Sequence, residues 1–126
     1  MVELIMSMVM VFYNTCSPLQ QEVWLYSLNT KAIYVCENYE ENNWILYHEF
    51  SHWIYFNKLT EEERLKRVKL YSKPPYISDY AGTKPEEDWA EEWRVYFQKW
   101  KVKNTIKRSF VRRMMKKYGF DQTTIK

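Results

Sequence analysis

Two histidines four residues apart, with a glutamate directly after the first, form the segment of the sequence best suited to chemistry. Residues 48–52 read HEFSH, and His48 and His52 are the only two histidines among the 126 residues. The segment lies within an apolar stretch, residues 44–56, that has helical spacing. On a helix both imidazoles share one face and can reach one Zn²⁺, while Glu49 can accept a proton from water activated there. The pattern H-E-x-x-H therefore predicts metal-assisted hydrolysis.

A catalytic zinc usually has three protein ligands and one position open to water. Because the chain has no third histidine, the third ligand is expected to be a carboxylate. Thr83 and Glu86 have the spacing of a capping box, and Pro85 suits a first helical turn. Glu87 is therefore expected near the start of a helix, where it could bind zinc while Glu91 accepts a hydrogen bond from a ligating histidine. A shift in register would put Glu86 or Glu91 in the place of Glu87.

An apolar stripe supports this second helix. Its large residues recur every three or four positions, at Trp89, Trp93, Phe97 and Trp100. The other acidic residues of the segment, Glu86, Asp88 and Glu92, are interpreted as charges that complement the positive end of the helix dipole.

The two segments together resemble the gluzincin group of zinc metallopeptidases. In that group an H-E-x-x-H helix is followed by a helix of the form E-x-x-A-E, and residues 87–91 here begin 35 positions after His52. The resemblance implies Zn²⁺ as cofactor, peptides or proteins as substrates and Glu49 as general base. It implies three metal ligands, His48, His52 and Glu87.

The same resemblance extends to Tyr80 and to the size of the chain. Several gluzincins carry a tyrosine seven residues before the ligand glutamate that stabilises the oxyanion, and Tyr80 has that position. The short chain narrows the resemblance to the minigluzincins, small soluble proteins kept latent by a C-terminal segment. In one known arrangement that segment is a helix swapped between two chains, which implies a possible homodimer.

The charge of the chain is divided into two parts of opposite sign. Residues 101–126 hold nine Lys or Arg and one acidic residue, a net charge of +8. Residues 1–100 hold ten Lys or Arg and fifteen acidic residues, a net charge of −5. Within the basic segment, apolar residues at Ile106, Phe110, Met114 and Tyr118 indicate an amphipathic helix that ends near Gly119. It could dock on an acidic domain and cover the cleft, pack on its own core, or, least favoured, bind nucleic acid or an anionic membrane.

The remaining segments predict a small sheet and one further helix. Residues 22–27 and 32–37 flank a turn and predict a β-hairpin. Thr60 and Glu63 form a capping box that opens a charged helix to about Ser72, whose pattern we interpret as a solvated face.

The N-terminal apolar segment, residues 1–13, is too short to span a bilayer whose hydrocarbon core is about 30 Å thick. Glu3 stands where a signal peptide would carry a basic residue. We expect a buried first helix or strand, no membrane span and a cytoplasmic protein. Cys16 and Cys36 are too few for a disulfide framework and are expected to be buried thiols.

We therefore expect an α+β fold, a minimal zincin-like domain in which a small, mostly antiparallel sheet packs on the H-E-x-x-H helix, the glutamate helix and a C-terminal helix. Residues 1–100 would form the catalytic domain and residues 101–126 a basic segment that maintains latency. The predicted function is zinc-dependent peptide-bond hydrolysis by a latent zymogen. The alternatives are a non-catalytic zinc-stabilised interaction module whose basic tail binds nucleic acid or a partner, and a remnant of a membrane metallopeptidase that needs partners.

Overall fold

The computed structural model describes residues 8–14, 24–36, 43–98 and 104–120 of the chain. Within these ranges the fold is α+β, with one three-stranded sheet and four α-helices. The strands are β1 (Val11–Asn14), β2 (Trp24–Ser27) and β3 (Ala32–Cys36). The helices are α1 (Asn43–Asn57), α2 (Glu61–Tyr71), α3 (Pro85–Gln98) and α4 (Thr105–Tyr118), with a short 3₁₀-helix at Tyr80–Thr83 before α3. Cys16 and Trp100 lie outside the described residues.

The sheet is mixed. The predicted hairpin is confirmed, because β2 and β3 pair antiparallel with Ser27 opposite Ala32. β1 pairs with β3 in parallel, Val11 opposite Ile33, so β2 borders the described sheet. The expectation of a mostly antiparallel sheet is therefore wrong. The reason is that β1 joins the second strand of the hairpin rather than the first, and the periodicity within a strand does not determine which strand it pairs with.

Helix α1 contacts both the sheet and α3, and large rings pack around its centre. Phe50, at the centre of α1, is fully buried against the rings of Trp53, Trp93 and Phe120. The indole of Trp89 packs near Tyr55 and donates a hydrogen bond to the carbonyl oxygen of Ser51 at 2.8 Å. These contacts fix α3 against the face of α1 that carries the two histidines.

The starts of α2 and α3 illustrate one correct and one incorrect prediction of a helix cap. The Thr60–Glu63 capping box at α2 is present in both directions. Thr83 does not cap α3, because it ends the 3₁₀-helix and its hydroxyl donates to the carbonyl oxygen of Tyr80 at 2.6 Å. Pro85 nevertheless begins α3, so Glu87 lies in the first turn as expected.

Helix α4 is part of the same hydrophobic core as α1 and α3. The ring of Phe110 on α4 meets that of Trp89 edge to face. The helix ends at Gly119, which has the left-handed conformation that favours glycine (φ 79°). The predicted stripe is wrong at its first position, since Ile106 is 54% exposed and Lys107 is fully buried instead. The buried face consists of Lys107, Phe110, Val111, Met114 and Met115.

A buried ionic cluster joins three helices. Arg67 of α2 and Lys107 of α4 lie 2.8 and 3.0 Å from Oδ2 of Asp88 on α3, and all three side chains are fully buried. The interpretation of α2 as a solvated face is therefore wrong at Arg67. No helix within the described ranges combines the length and apolar composition needed to cross a bilayer.

Candidate metal centre

Three side chains from α1 and α3 bring their ligand atoms together. Nε2 of His52 lies 3.2 Å from Nε2 of His48 and 2.6 Å from Oε1 of Glu87, and His48 Nε2 lies 3.4 Å from the same oxygen. Because the histidines are one turn apart on α1 and Glu87 is in the first turn of α3, the three groups meet between two packed helices. The structure thus brings together the three residues that the sequence singled out as ligands.

The donor set fits a metal ion. Oε1 of Glu87 is buried without a hydrogen-bond partner of acceptable geometry, although two imidazole nitrogens face it. Two imidazole nitrogens and one carboxylate oxygen form a common protein ligand set for catalytic zinc. The arrangement could hold a divalent ion, and its two nitrogens and one oxygen suit zinc better than magnesium or calcium.

Glu91 lies behind His48, as expected. Its Oε2 atom is 2.8 Å from Nδ1 of His48, which leaves Nε2 of that ring directed toward Glu87 and His52. Arg94 clamps the same carboxylate, with Nε donating to Oε2 at 2.9 Å and a terminal nitrogen donating to Oε1 at 3.2 Å. Such partners fix the tautomer and the ring orientation of a ligating histidine.

Glu49 lies beside the histidines and is held by the sheet. Its Oε2 atom accepts a hydrogen bond from the backbone N–H of Tyr26 on β2 at 3.1 Å. Burial raises the pKa of Glu49, and the neighbouring His52 and His48 oppose that rise. A carboxyl group with a raised pKa next to a candidate metal position is suited to accept a proton from water.

Tyr80 reaches the site from the 3₁₀-helix. Its ring centroid is 5.6 Å from that of His48, and its hydroxyl hydrogen-bonds Glu87. The residue is 53% exposed, so it borders solvent. The sequence-predicted tyrosine is therefore next to the candidate ligands.

The electrostatic state of the centre is set by its carboxylates. Burial lowers the pKa of His48, but Glu87, Glu91 and Glu49 outweigh it and raise the value to about 9. Burial raises the pKa of Glu91, yet its hydrogen bonds with His48 and Arg94 bring it down to about 2. Burial likewise raises the pKa of Glu87, and the two histidines that face its carboxylate lower it well below its usual range.

Two acidic residues of α3 are buried, which the sequence did not indicate. Asp88 is fully buried between Arg67 and Lys107, and Glu92 is 1% exposed. The helix dipole alone does not account for either carboxylate, because a group removed from water needs ionic or hydrogen-bonding partners. Neither appears among the residues grouped around the candidate metal position.

Ser78 and Arg94 were missed by the sequence reasoning. Arg94 lies three residues after Glu91 on a helix, a spacing at which opposite charges meet, so a signal was present. Ser78 gives no such signal, because it reaches Glu91 across a turn. Comparisons with protein-family models, with curated proteins and with solved structures found no match.

Proposed function

We propose that this chain is a zinc-dependent metallopeptidase of the gluzincin kind, similar to the minigluzincins, built on a minimal zincin-like arrangement of α1 and α3. The observation that carries the proposal is the convergence of His48, His52 and Glu87 with Glu49 beside them. Buried clusters with strongly perturbed carboxyl and imidazole groups are typical of functional sites.

The roles follow from the contacts of each residue. His48, His52 and Glu87 would hold the ion, which when bound supplies the Lewis acidity that activates water and polarises a carbonyl. Glu91 keeps the proton on Nδ1 of His48 and so leaves Nε2 free to bind. Glu49 takes a proton from the attacking water and later delivers it to the leaving amine.

Tyr80 would act on the charge that develops during attack. The residue is half exposed, and its hydroxyl can leave Glu87 and donate a hydrogen bond to the carbonyl oxygen as that oxygen becomes an anion. Removing one donor of this kind typically costs about 10²–10³ in kcat.

The position of β2 supports a peptide as substrate. β2 borders the described sheet, and its Tyr26 N–H points to Glu49 rather than to β3. An edge strand beside the general base can pair with an extended peptide through main-chain hydrogen bonds. Such pairing would place the scissile bond near Glu49.

Latency through the C-terminal segment, and exchange of α4 between two chains, stay predictions. The described part of that segment contacts Asp88, Trp89 and Trp93. These residues project from other sides of α3 than Glu87 and Glu91. α4 is therefore a core helix in this chain. If it maintains latency, it does not do so as a loosely attached helix that covers the site.

The proposal is tested by cleavage of an unstructured peptide library in the presence of zinc. Glu49→Gln should retain one zinc per chain and lose cleavage by about 10²-fold or more, because the variant keeps the ligands and lacks the base. Glu61→Gln, an exposed change of the same kind on α2, is the control and should cleave normally. Zinc binding without cleavage by any variant would favour the non-catalytic interaction module instead.

A further inference from the structure

Ser78 connects two parts of the candidate centre that belong to different segments. Its hydroxyl donates to Oε1 of Glu91 at 2.9 Å and accepts from the backbone N–H of Ala81 at 3.1 Å. Glu91 orients His48, and Ala81 directly follows Tyr80 in the 3₁₀-helix. One hydroxyl group thus joins the carboxylate behind His48 to the turn that carries Tyr80.

We propose that Ser78 is a positioning residue that fixes the turn bearing Tyr80 relative to the metal-binding side chains; the catalytic part of this inference rests on the proposed function. Ser78 touches neither a candidate ligand atom nor a reacting group. It acts through Tyr80.

Glu91 does not need Ser78 to stay in place. Its carboxylate also accepts two hydrogen bonds from Arg94 and one contact from His48 Nδ1. Removal of the Ser78 hydroxyl would therefore leave the orientation of His48 intact. What the hydroxyl adds is the link from this rigid carboxylate to the backbone of Ala81, whose side chain is fully buried.

Tyr80 depends on that link because its ring, which contacts His48 and bonds Glu87, lies on a half-exposed residue placed by the backbone of the turn. The side chain is 53% exposed, whereas the other end of the turn is anchored by the hydroxyl of Tyr71 on the carbonyl oxygen of Gly82 at 2.5 Å. The N-terminal end of the turn is where Ser78 acts. A displacement of about 1 Å at a catalytic group can cost about 10²-fold in rate.

The test is a double-mutant cycle with two readouts, kcat for a cleaved peptide and the dissociation constant for Co²⁺. Ser78→Ala should lower kcat by about 10–100-fold with little change in KM, as expected for loss of an outer hydrogen-bonding partner. Ser78→Thr keeps the hydroxyl and should restore most of the rate. Ser72→Ala, which removes an exposed serine hydroxyl bonded to the carbonyl oxygen of Lys69, is the matched control.

The decisive comparison is made in the background of Tyr80→Phe. If Ser78 acts through Tyr80, then Ser78→Ala causes no further loss of kcat in the Tyr80→Phe protein. If the two residues act independently, the fold-losses of the two single variants multiply in the double variant. Because the Tyr80 hydroxyl bonds Glu87, the single variants should each weaken Co²⁺ binding by up to about tenfold, and the double variant no more than either.

The two readouts separate this inference from the proposed function. Absence of cleavage in every protein, with a non-additive Co²⁺ cycle, would reject the peptidase and support the positioning role. Multiplying effects, or a Ser78→Ala variant that matches the parent protein in both readouts, would overturn it. A protein that binds no Co²⁺ would overturn both.

Discussion

At the scale of single residues, the carboxylate of Glu91 is the point on which the orientation of His48 depends. It accepts from Arg94, Ser78 and His48 Nδ1 while remaining buried. Arg94 donates to both oxygens of this carboxylate, so it requires an acceptor with both oxygens available. An amide in its place would direct its NH₂ group at a guanidinium nitrogen, which has no lone pair to offer.

We therefore expect Glu91→Gln to weaken zinc binding by about 10–100-fold, the usual loss for a carboxylate behind a ligating histidine. A competitive titration against a chromophoric chelator measures this. Glu86→Gln is the control, because it removes the same charge from the first turn of the same helix, and it should change the affinity little. Equal losses in both variants would mean that charge alone, rather than orientation of His48, governs binding.

The sequence was sufficient to select the three residues that the structure brings together, and insufficient for the residues around them. Fixed helical geometry makes His48 and His52 neighbours in any fold that keeps the helix. Glu87 could be placed because Pro85 marks the start of its helix, although the Thr83 cap expected there is absent. The contact of Ser78 with Glu91 depends on how a turn folds back on α3, which no local periodicity encodes.

At the scale of elements, α3 presents different chemistry on different sides. Glu87 and Glu91 face the histidines of α1, Trp93 packs into the apolar core, and Asp88 meets cations from α2 and α4. A single amphipathic stripe describes only the aromatic side of such a helix. This is why the burial of Asp88 and Glu92 was not predicted: their partners are supplied by other helices.

Glu92 makes the stability of this helix packing depend on pH. Burial raises the pKa of Glu92 from 4.5 to about 7, against the opposing effect of Arg67, and one of its oxygens is buried without a hydrogen-bond partner. Between these pH values the unfolded chain ionises Glu92 while the folded chain keeps it protonated. The contribution of Glu92 to stability is therefore fully present below pH 4.5 and is lost as pH rises to about 7.

The predicted result is that Glu92→Gln, which stays neutral, removes this loss. The free energy of unfolding of metal-free protein is measured with urea at pH 4.5 and at pH 8. Its fall between the two pH values should be smaller in the variant than in the parent protein, by about 3 kcal/mol. Glu62→Gln serves as the control, since Glu62 forms an exposed pair with Lys66 and such pairs contribute about 0–1 kcal/mol. Parallel pH curves for the parent protein and Glu92→Gln would refute the prediction.

At the scale of the whole molecule, the basic C-terminal segment and the acidic remainder form one body within the described residues. Five apolar side chains from residues 110–120 are buried in the core shared with α1 and α3. Burying each contributes about 1.5–3 kcal/mol, which in total is comparable with a typical stability of about 5–15 kcal/mol. The charge asymmetry seen in the sequence could not indicate this, because a count of charges does not tell which side chains of α4 are buried.

Removal of residues 104–126 should therefore unfold the protein rather than activate it. We expect the shortened chain to lose its cooperative thermal transition in circular dichroism and to bind zinc no better than a denatured chain. A shorter deletion, of residues 121–126 alone, keeps the described core and serves as the control. A chain ending at residue 103 that folds cooperatively and cleaves peptides faster than the full chain would establish a separable latency element.

The central claim is a metal centre made by two histidines and one glutamate. X-ray absorption at the zinc edge, on protein loaded with one equivalent of zinc, tests it most directly. Two imidazole nitrogens at about 2.0–2.1 Å with oxygen atoms completing the shell are expected. Sulfur atoms in the shell, the absence of imidazole scattering, or zinc lost on dialysis would contradict the assignment of His48, His52 and Glu87.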